Sequence, residues 1–534
     1  MSFSFNSANE QQFSLFDSFE SLTPREKRFL EKSWAKTFAE EIFPKIDEAP
    51  YAVLYSENAS RPNTPVNVII GALILKEFTG QSDDDIYNSL MFDIRYQYAL
   101  HTTSFMEQPL SDRTLGRFRQ RCMTYEEETG IDLLHGTITG LSEAMAVLMK
   151  TDRSLKRMDS MMVASNIKKM SRLELLYTCM ANLVKECSKR KENIPEELEH
   201  YLSSEDKNIL IYHNKSENTQ EKITGILKDA VKVLELCGSN YDDNSEYQLL
   251  LRVLSEQAVR QEDGTYILRQ KGEGMGSGCL QNPSDPDATY REKAGKQYRG
   301  YTANIIEETS ENGSIVTEYQ YDVNTYSDSQ FAKDTIESLG KQDEEVVLVA
   351  DGAYAGEENA EIAKSNNIKL VTTNLTGKEV PDLYADFEFN QEGTRVVKCP
   401  NGETPKSCCY NPKSGQCVVS FYNEQCDGCP HRDQCPRKIN KRTSRVFISK
   451  TSQNRARAQR NRSTDEFKKM THFRNGVETV PSMLRRLLDV DRMPVRGKRR
   501  TKFLFGCKIA ALNFLKLCKS MRRSERCAQI QTTC

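Results

Sequence analysis

Val346-Val-Leu-Val-Ala-Asp-Gly-Ala-Tyr354 is the stretch that decides the fold of this 534-residue chain. Five apolar residues precede Asp351, and such a short run bounded by a glycine is typical of a buried strand. A helical pattern follows at about 357–365, and a second apolar strand pattern covers 368–373. Strand, helix and strand in succession predict an α/β sheet, in which functional residues collect at the carboxyl ends of strands. Asp351 lies at such an end.

Upstream of this stretch, the sequence predicts a β-hairpin and a further strand. Strand patterns cover 293–308 and 314–323, and Asn312-Gly313 between them is a strong turn signal. A helix is predicted from about Asp328 to Leu339. Further upstream, Asp159 lies in Arg157-Met-Asp-Ser-Met-Met-Val-Ala-Ser-Asn166, at a transition from helix to strand. Asp159 and Asp351 are therefore candidate metal-holding carboxylates.

Length and composition predict a soluble, multidomain protein. Apolar residues make up 38% of the chain and charged residues 28%, with a mean hydropathy of -0.64. No apolar run approaches the roughly 18 residues of a membrane span, and no leader pattern opens the chain, so we expect a cytoplasmic protein without a membrane partner. The predicted divisions are an extension (1–50), a helical DNA-binding domain (51–150), the first part of the core (151–170 and 265–390), a helical insertion (171–264), a Cys-rich insert (391–440), a basic final part of the core (441–520) and a tail (521–534).

The net charge of -2 hides a strong asymmetry along the chain. Residues 436–519 contain 24 Lys and Arg against 5 Asp and Glu, whereas the remainder contains 50 against 71. A basic segment on an acidic body is typical of a surface that binds a polyanion. A solvated charged helix is the alternative interpretation.

An arginine-rich segment near the N-terminus is a second candidate DNA contact. Ser111-Asp-Arg-Thr-Leu-Gly-Arg-Phe-Arg-Gln-Arg121 follows shorter helical patterns and combines apolar Leu115 and Phe118 with basic residues. Arg113 and Arg117 are its candidate DNA-binding residues, because short helices leading to a basic helix are typical of helix-turn-helix readers. A bundle helix with an arginine-rich solvent face fits the pattern equally.

Seven of the sixteen cysteines fall between Cys399 and Cys435. Cys426-Asp-Gly-Cys429 has the two-residue spacing of a metal knuckle, and zinc takes four ligands, usually thiolates or imidazoles. Cys399 and Cys435 complete the preferred set of four. The spacing also allows a second pair of Cys399 with Cys408, Cys409 or Cys417, and His431 is a further candidate. Reduced thiols without metal and an iron–sulfur cluster are the alternatives. A zinc ion here would fold a small insert and take no part in catalysis.

The third candidate acid, Glu478, lies inside the most basic part of the chain. Helical spacing would put Arg474 one turn before it and Arg485 two turns after it on one side, with Glu478 toward a metal and the arginines toward phosphates. An isolated ion-pair partner is the alternative interpretation of Glu478.

These contexts resemble the DDE-type transposases of bacterial insertion sequences, over most of residues 55–520. Arg157-Met-Asp159-Ser and Val349-Ala-Asp351-Gly-Ala-Tyr354 resemble the family's first and second acids. Asp285-Pro-Asp-Ala288 and the strand after Lys293 resemble the segment before the second acid. Thr471, Arg474, Glu478 and Arg485 fall at the Tyr, Arg, Glu and Lys positions of the third-acid signature. The Cys-x-x-Cys insert is similar to one branch of the family.

The resemblance implies an RNase H-like α/β core with a mixed sheet flanked by helices, a helical N-terminal DNA-binding domain, and catalysis by Asp159, Asp351 and Glu478. It also implies two Mg²⁺ ions, for which Mn²⁺ can substitute. With these ions the enzyme would first cleave DNA at the element ends, and the 3′-hydroxyl would then attack target DNA. Double-stranded DNA is the expected partner, a homodimer the expected species, and Lys293 and Lys296 are further candidate DNA contacts. A catalytically inactive DNA-binding derivative and an RNase H-like nuclease are the alternatives.

Overall fold

The structure is a computed structural model of the chain that describes residues 1–6, 17–58, 61–211, 218–270, 272–293, 295–373, 379–462 and 464–533. The side chains of Glu357 and of residues 524–533 are outside this description. Residues 7–16 of the predicted N-terminal extension, 212–217 of the predicted insertion and Cys534 of the predicted tail also lie outside it.

The helices of the described residues, in chain order, are α1 (Pro24–Glu31), α2 (Trp34–Thr37), α3 (Val66–Thr79), α4 (Asp83–Phe92), α5 (Ile94–Ala99), α6 (Thr114–Thr129), α7 (Leu133–Met149), α8 (Arg172–Lys189), α9 (Ser204–Ile211), α10 (Thr219–Cys237), α11 (Ser245–Gln257), α12 (Asp328–Leu339), α13 (Glu357–Ser365), α14 (Asn423–Asp427), α15 (Lys450–Asn461), α16 (Asp465–Asn475), α17 (Thr479–Leu487) and α18 (Lys498–Thr533). The strands are β1 (Leu155–Ala164), β2 (Ala258–Arg260), β3 (Tyr266–Leu268), β4 (Thr289–Lys293), β5 (Lys296–Ser310), β6 (Gly313–Val323), β7 (Val346–Ala350), β8 (Ile368–Thr372), β9 (Glu388–Phe389), β10 (Val396–Lys398), β11 (Ser407–Asn411), β12 (Gln416–Tyr422), β13 (Lys438–Ile439) and β14 (Thr443–Ser449).

The chain divides into two compact units. The first consists of Met1–Arg153, Ser160–Ser327 and Thr479–Cys534, and the second of Ser154–Asp159 and Asp328–Glu478. Strand β1 contributes its first half to the second unit and the rest to the first. Parallel pairing in the second unit and antiparallel pairing in the first make the protein an α/β protein with a mixed sheet.

The core of the first unit forms around α18, which packs against α3, α7 and β6. Helix α3 is buried almost throughout, because its sequence is apolar on all sides. The buried Glu48 carboxylate accepts hydrogen bonds from the backbone N–H of Val66 (2.7 Å) and of Asn67 (3.2 Å) at the start of α3. A negative charge at a helix N-terminus is stabilising, so this contact fixes where α3 begins.

Strand β5 pairs with β4 and β6, and with the part of β1 that lies in the first unit. Gly300 on β5 has a φ of 141°, and a Cβ there would lie 2.5 Å from the Val163 carbonyl oxygen. The fully buried Asp285 carboxylate accepts hydrogen bonds from the hydroxyls of Ser165 and Tyr301 (2.5 Å to Tyr301). Asp285 therefore ties the end of β1 to β5.

Helices α8, α10 and α11 form a module in the first unit with its own hydrophobic core, distinct from the core around α18. Leu176, Leu227 and Leu250 are fully or almost fully buried in it. The helical stretch predicted from 171 to 261 is therefore divided into shorter helices that pack on one another.

In the second unit, β7 is the central strand. It pairs in parallel with the first half of β1 on one side and with β8 on the other. Helices α12 and α13 contact each other, α13 contacts β8, and α16 contacts β7. A separate antiparallel sheet has the order β11-β12-β14-β13 and packs against Tyr384 and Phe387. This sheet contains the Cys-rich segment.

Several sequence-based expectations agree with these bounds. Helix α12 and the hairpin turn between β5 and β6 lie where they were predicted, and β7 ends at the residue before Asp351. Across the described part of the chain, no helix combines the length and apolar character needed to cross a membrane.

Candidate active site

Asp159 lies on β1 and Asp351 directly follows β7, and these two strands of the second unit pair in parallel. The register pairs Leu155 with Val347 and Arg157 with Val349. Extending it by two residues puts Asp159 beside Asp351, and neighbouring strands lie about 4.8 Å apart. Because side chains alternate along a strand, Arg157 and Asp159 share one face of β1. Continuation of the register beyond Arg157 and Val349 therefore predicts that the two acids are neighbours.

The turn that carries Asp351 is held by side chains. The Asp351 carboxylate accepts a 2.7 Å hydrogen bond from the Gly352 N–H and caps a 3₁₀ turn over Gly352–Tyr354. The amide of Asn359 donates to the carbonyls of Tyr354 (3.1 Å) and Ser329 (2.9 Å). These contacts fix the backbone that leaves β7.

Arg474 lies between the first and the third acid. It donates from Nη2 to Asp159 Oδ2 at 2.9 Å, and its Nη1 lies 3.5 Å from Glu478 Oε1. The side chains of Arg474 and Asp159 are 11% and 15% exposed, whereas that of Glu478 is 68% exposed. The acid pair on the strands is thus partly buried, and the third acid is at the surface.

The expectation that Arg474, Glu478 and Arg485 share one helical face is wrong. Helix α16 ends at Asn475, Gly476–Glu478 is a 3₁₀ turn, and α17 begins at Thr479. Glycine is a poor helix former, and Pro481 has no N–H to continue the hydrogen-bond ladder, so the helix is interrupted. Arg485, in the first unit, donates to the Met162 carbonyl at 2.9 Å and pairs with Asp491 at 3.1 Å.

The three acids offer carboxylate oxygens, which suit a hard divalent cation such as Mg²⁺. Within the described residues, however, no three or more His, Cys, Asp or Glu side chains are arranged to hold a metal. The Arg474 guanidinium contacts two of the acids, Asp159 and Glu478. The donor chemistry fits the predicted cation, and the metal assignment stays a prediction.

The predicted zinc ligands line one small cavity of the second unit. Cys399, Cys426, Cys429, Cys435 and His431 surround a space of about 30 Å³. Burial and, to a smaller extent, the neighbouring Cys426 and Cys429 together raise the pKa of the Cys435 thiol to about 11. Burial also raises the pKa of Cys399. The thiols are neighbours, but they too form no ready metal-binding group among the described residues, so zinc also stays a prediction.

The candidate DNA contacts of the first unit are accessible. Arg113 and Arg117 are exposed at the start of α6, and Arg117 lines a cleft of about 670 Å³ together with Arg61 and Arg121. Lys293 and Lys296 form an exposed pair across the β4–β5 turn. Arg474 contacts the acids Asp159 and Glu478, and its role toward phosphate stays a prediction.

Sequence reasoning missed Arg157 and Gly476 as parts of this site. Arg157 donates to the Phe473 carbonyl at 2.8 Å and lies against Gly476. The one local signal was the two-residue spacing of Arg157 and Asp159, which puts both on one face of a strand.

Two segments of the chain match known families. Residues 398–518 match the family described as Transposase DDE domain, and residues 27–121 match the family described as Transposase domain (DUF772). A search of curated proteins gave no match. The chain is also similar to a solved piggyBac transposase synaptic complex with hairpin DNA, at 8% identity, covering 93% of this chain and 76% of that chain, with a TM-score of 0.27. A likeness at that TM-score carries no argument about the fold.

The two family matches confirm the resemblance to insertion-sequence DDE transposases. One match contains Arg113 and the first half of α6 with Arg117, and the other contains the cysteines of the cavity and Glu478. Together they indicate a protein of DNA transposition.

Proposed function

We propose that this protein is an enzyme that cleaves DNA at the ends of a transposable element and transfers the 3′-hydroxyl ends to target DNA. The observation that carries the proposal is the arrangement of the acids. Asp159 and Asp351 each lie two residues beyond the last paired residues of the parallel strands β1 and β7, and Arg474 contacts both Asp159 and Glu478. Parallel strands β7 and β8 beside β1 in one unit, and the hairpin β5–β6 in the other, fit an RNase H-like core.

In this proposal Asp159, Asp351 and Glu478 hold two Mg²⁺ ions, for which Mn²⁺ substitutes. The ions, when bound, lower the pKa of the attacking hydroxyl and stabilise the leaving oxygen. The partly buried Asp159 and Asp351 provide carboxylates with fixed directions, because β1 and the capped turn after β7 hold them. Arg474, which contacts both Asp159 and Glu478, holds the third acid near the first.

The remaining predicted residues bind DNA or stabilise the fold. Arg113 and Arg117 bind phosphates of the element end, and Lys293, Lys296 and Arg485 extend the basic surface. Cys399, Cys426, Cys429 and Cys435 bind a structural zinc ion that stabilises the sheet around their cavity. The enzyme acts on double-stranded DNA in the cytoplasm, as a homodimer that holds two element ends.

The test is incubation of purified protein with a plasmid that carries its gene and flanking DNA, with Mg²⁺ or EDTA. We expect Mg²⁺-dependent nicking or excision at defined flanking ends, and none with Asp351→Ala. DNA binding without cleavage in the wild type would identify an inactive DNA-binding derivative instead. Cutting at random positions, without joining of 3′ ends, would identify a nuclease.

A further inference from the structure

Two arginines cross between β1 and the end of α16, inside the second unit. Arg157 on β1 donates from Nη1 to the carbonyl of Phe473 at 2.8 Å, and its guanidinium lies 5.2 Å from the centre of the Phe473 ring. In the opposite direction, Arg474 on α16 donates to Asp159 on β1 at 2.9 Å. The strand β1 and the helix α16 therefore each contribute an arginine whose guanidinium contacts the other element, beside the predicted catalytic acid Asp159.

The Arg157 contact is buried. Arg157 is 8% exposed, so its charge is largely removed from water and depends on the groups around it. Its partner, the Phe473 carbonyl, is in the last turn of α16 and also accepts a hydrogen bond from the N–H of Gly476, the residue that caps the helix, so Arg157 is a second donor at this helix end. The contact therefore ties the last turn of α16 to β1, and Phe473 is only five residues before Glu478.

The contact of Arg157 with the end of α16 explains why residue 476 is a glycine. A Cβ built on Gly476 would overlap Arg157 Nη1 and lie 2.9 Å from its Cζ. The φ of Gly476 is -64°, which any residue adopts, so the backbone itself does not require glycine. The missing side chain makes room for the Arg157 guanidinium.

We propose that Arg157 is a positioning residue, which sets the third acid relative to the first by holding the end of α16. This inference rests on the proposed function, because it assumes that Glu478 and Asp159 act together. Arg157 acts through Phe473 and Gly476 and contacts no substrate. A purely structural arginine would change the folded fraction but not the turnover of folded molecules.

The first test compares Arg157→Gln with Arg172→Gln in full-length protein. Arg172 is a matched control, because it donates to the carbonyls of Gln257 (3.1 Å) and Arg269 (2.9 Å) in the helical module. We expect Arg157→Gln to lower kcat for cleavage of element ends about 100-fold, with KM for DNA unchanged. Arg172→Gln should keep the wild-type kcat per folded molecule. Equal kcat values for the two variants would overturn the positioning role.

The second test is a double-mutant cycle on kcat. Gly476→Ala should displace the Arg157 guanidinium and lower kcat, whereas in an Arg157→Ala background the same change should add almost nothing. Gly225→Ala on α10, whose Cβ would meet no atom within 4 Å, is the control. An equal effect of Gly476→Ala in both backgrounds would overturn the inference.

Failure of the proposed function can be told apart from failure of this inference. If Asp351→Asn leaves cleavage intact, the proposed function is wrong, and the positioning role falls with it. If Asp351→Asn abolishes cleavage while Arg157→Gln keeps the wild-type kcat, only the positioning role is wrong.

Discussion

At the scale of single residues, Arg474 is the clearest determinant of the candidate site. It forms ion pairs with both Asp159 and Glu478, and it is itself buried. Removing one member of a buried ion pair leaves the other charge without compensation, which costs more than the pair contributes. The pair therefore makes a prediction that is independent of activity.

We expect Arg474→Gln to lower the free energy of unfolding by about 2 kcal/mol, because Asp159 loses the cation that neutralises it. Adding Asp159→Asn should recover most of this loss, since no charge then remains without compensation. Chemical denaturation of the two single variants and the double variant measures the coupling. Additive losses would contradict the ion pair.

Gly300 makes a second prediction at this scale. Its φ of 141° is strained for any other residue, and a Cβ would meet the backbone of Val163 and Ser165 at 2.5 Å. Backbone atoms cannot move aside as a flexible side chain can. We therefore expect Gly300→Ala to destabilise the fold by more than about 3 kcal/mol. Thermal unfolding checks this, with Gly225→Ala as the unstrained control.

At the scale of elements, a histidine links α7 to β6. His135 Nε2 lies 2.7 Å from Glu318 Oε1 and 3.0 Å from the Tyr319 carbonyl oxygen. Burial lowers the pKa of His135, but the hydrogen bond and charge of Glu318 outweigh it, so the net pKa is raised. The protonated form therefore stabilises the folded state.

The stability that this pair contributes is complete below the unfolded pKa of His, about 6.5, and is lost as pH rises through the raised folded pKa. We expect the contribution to be about 0.5–1 kcal/mol, because the pair is partly exposed. His135→Gln should flatten this pH dependence, while the exposed His472→Gln should leave it unchanged. Denaturation midpoints between about pH 5.5 and 8.5 measure the effect. The same slope in both variants would exclude the pair.

The Cys-rich sheet makes the second prediction at this scale. If the cavity thiols bind zinc, protein purified without chelators should contain about one equivalent of zinc. Cys426→Ser should lose it, whereas Cys409→Ser should retain it, because Cys409 is exposed and does not line the cavity. Elemental analysis gives the content. Zinc well below one equivalent in the wild type would show that the cavity holds reduced thiols.

Local patterns predicted the elements that are determined locally. The apolar run before Asp351 gave β7, and Asn312-Gly313 gave the turn of the β5–β6 hairpin. The contacts that organise the site are not local. Arg157 and Phe473 are 316 positions apart, and Arg474 and Asp159 are 315 positions apart. No periodicity connects such residues, so only the folded chain reveals these contacts.

The interruption of the helix before Glu478 could be predicted in part from the sequence. Gly476 and Pro481 were visible in the sequence, and both weaken a continuous helix. The regular spacing of Arg474, Glu478 and Arg485 suggested one face, yet the turn at Gly476–Glu478 separates them. Here the spacing of the charged residues was the weaker signal, because the positions of charged side chains do not determine whether the backbone of a helix continues.

At the scale of the whole molecule, the charge asymmetry predicts how the affinity of the protein for DNA depends on salt concentration. Residues 436–519 carry an excess of 19 basic residues, while the rest of the chain is acidic by 21. Each phosphate that a Lys or Arg neutralises releases counterions, so affinity for DNA falls steeply as salt rises. Basic residues that contact phosphate differ in this respect from basic residues that are merely solvated.

The salt dependence therefore tests the predicted DNA contacts of α6. Arg113→Ala combined with Arg117→Ala should weaken binding to element-end DNA and reduce the slope of log affinity against log salt by about 2, one for each lost phosphate contact. Lys185→Ala combined with Lys189→Ala removes the same charge from the exposed surface of α8. Because the helical module makes no predicted DNA contact, this control should leave the slope unchanged. An equal reduction of the slope in both double variants would mean that DNA binding depends on the overall charge of the protein, and that α6 does not bind the phosphates.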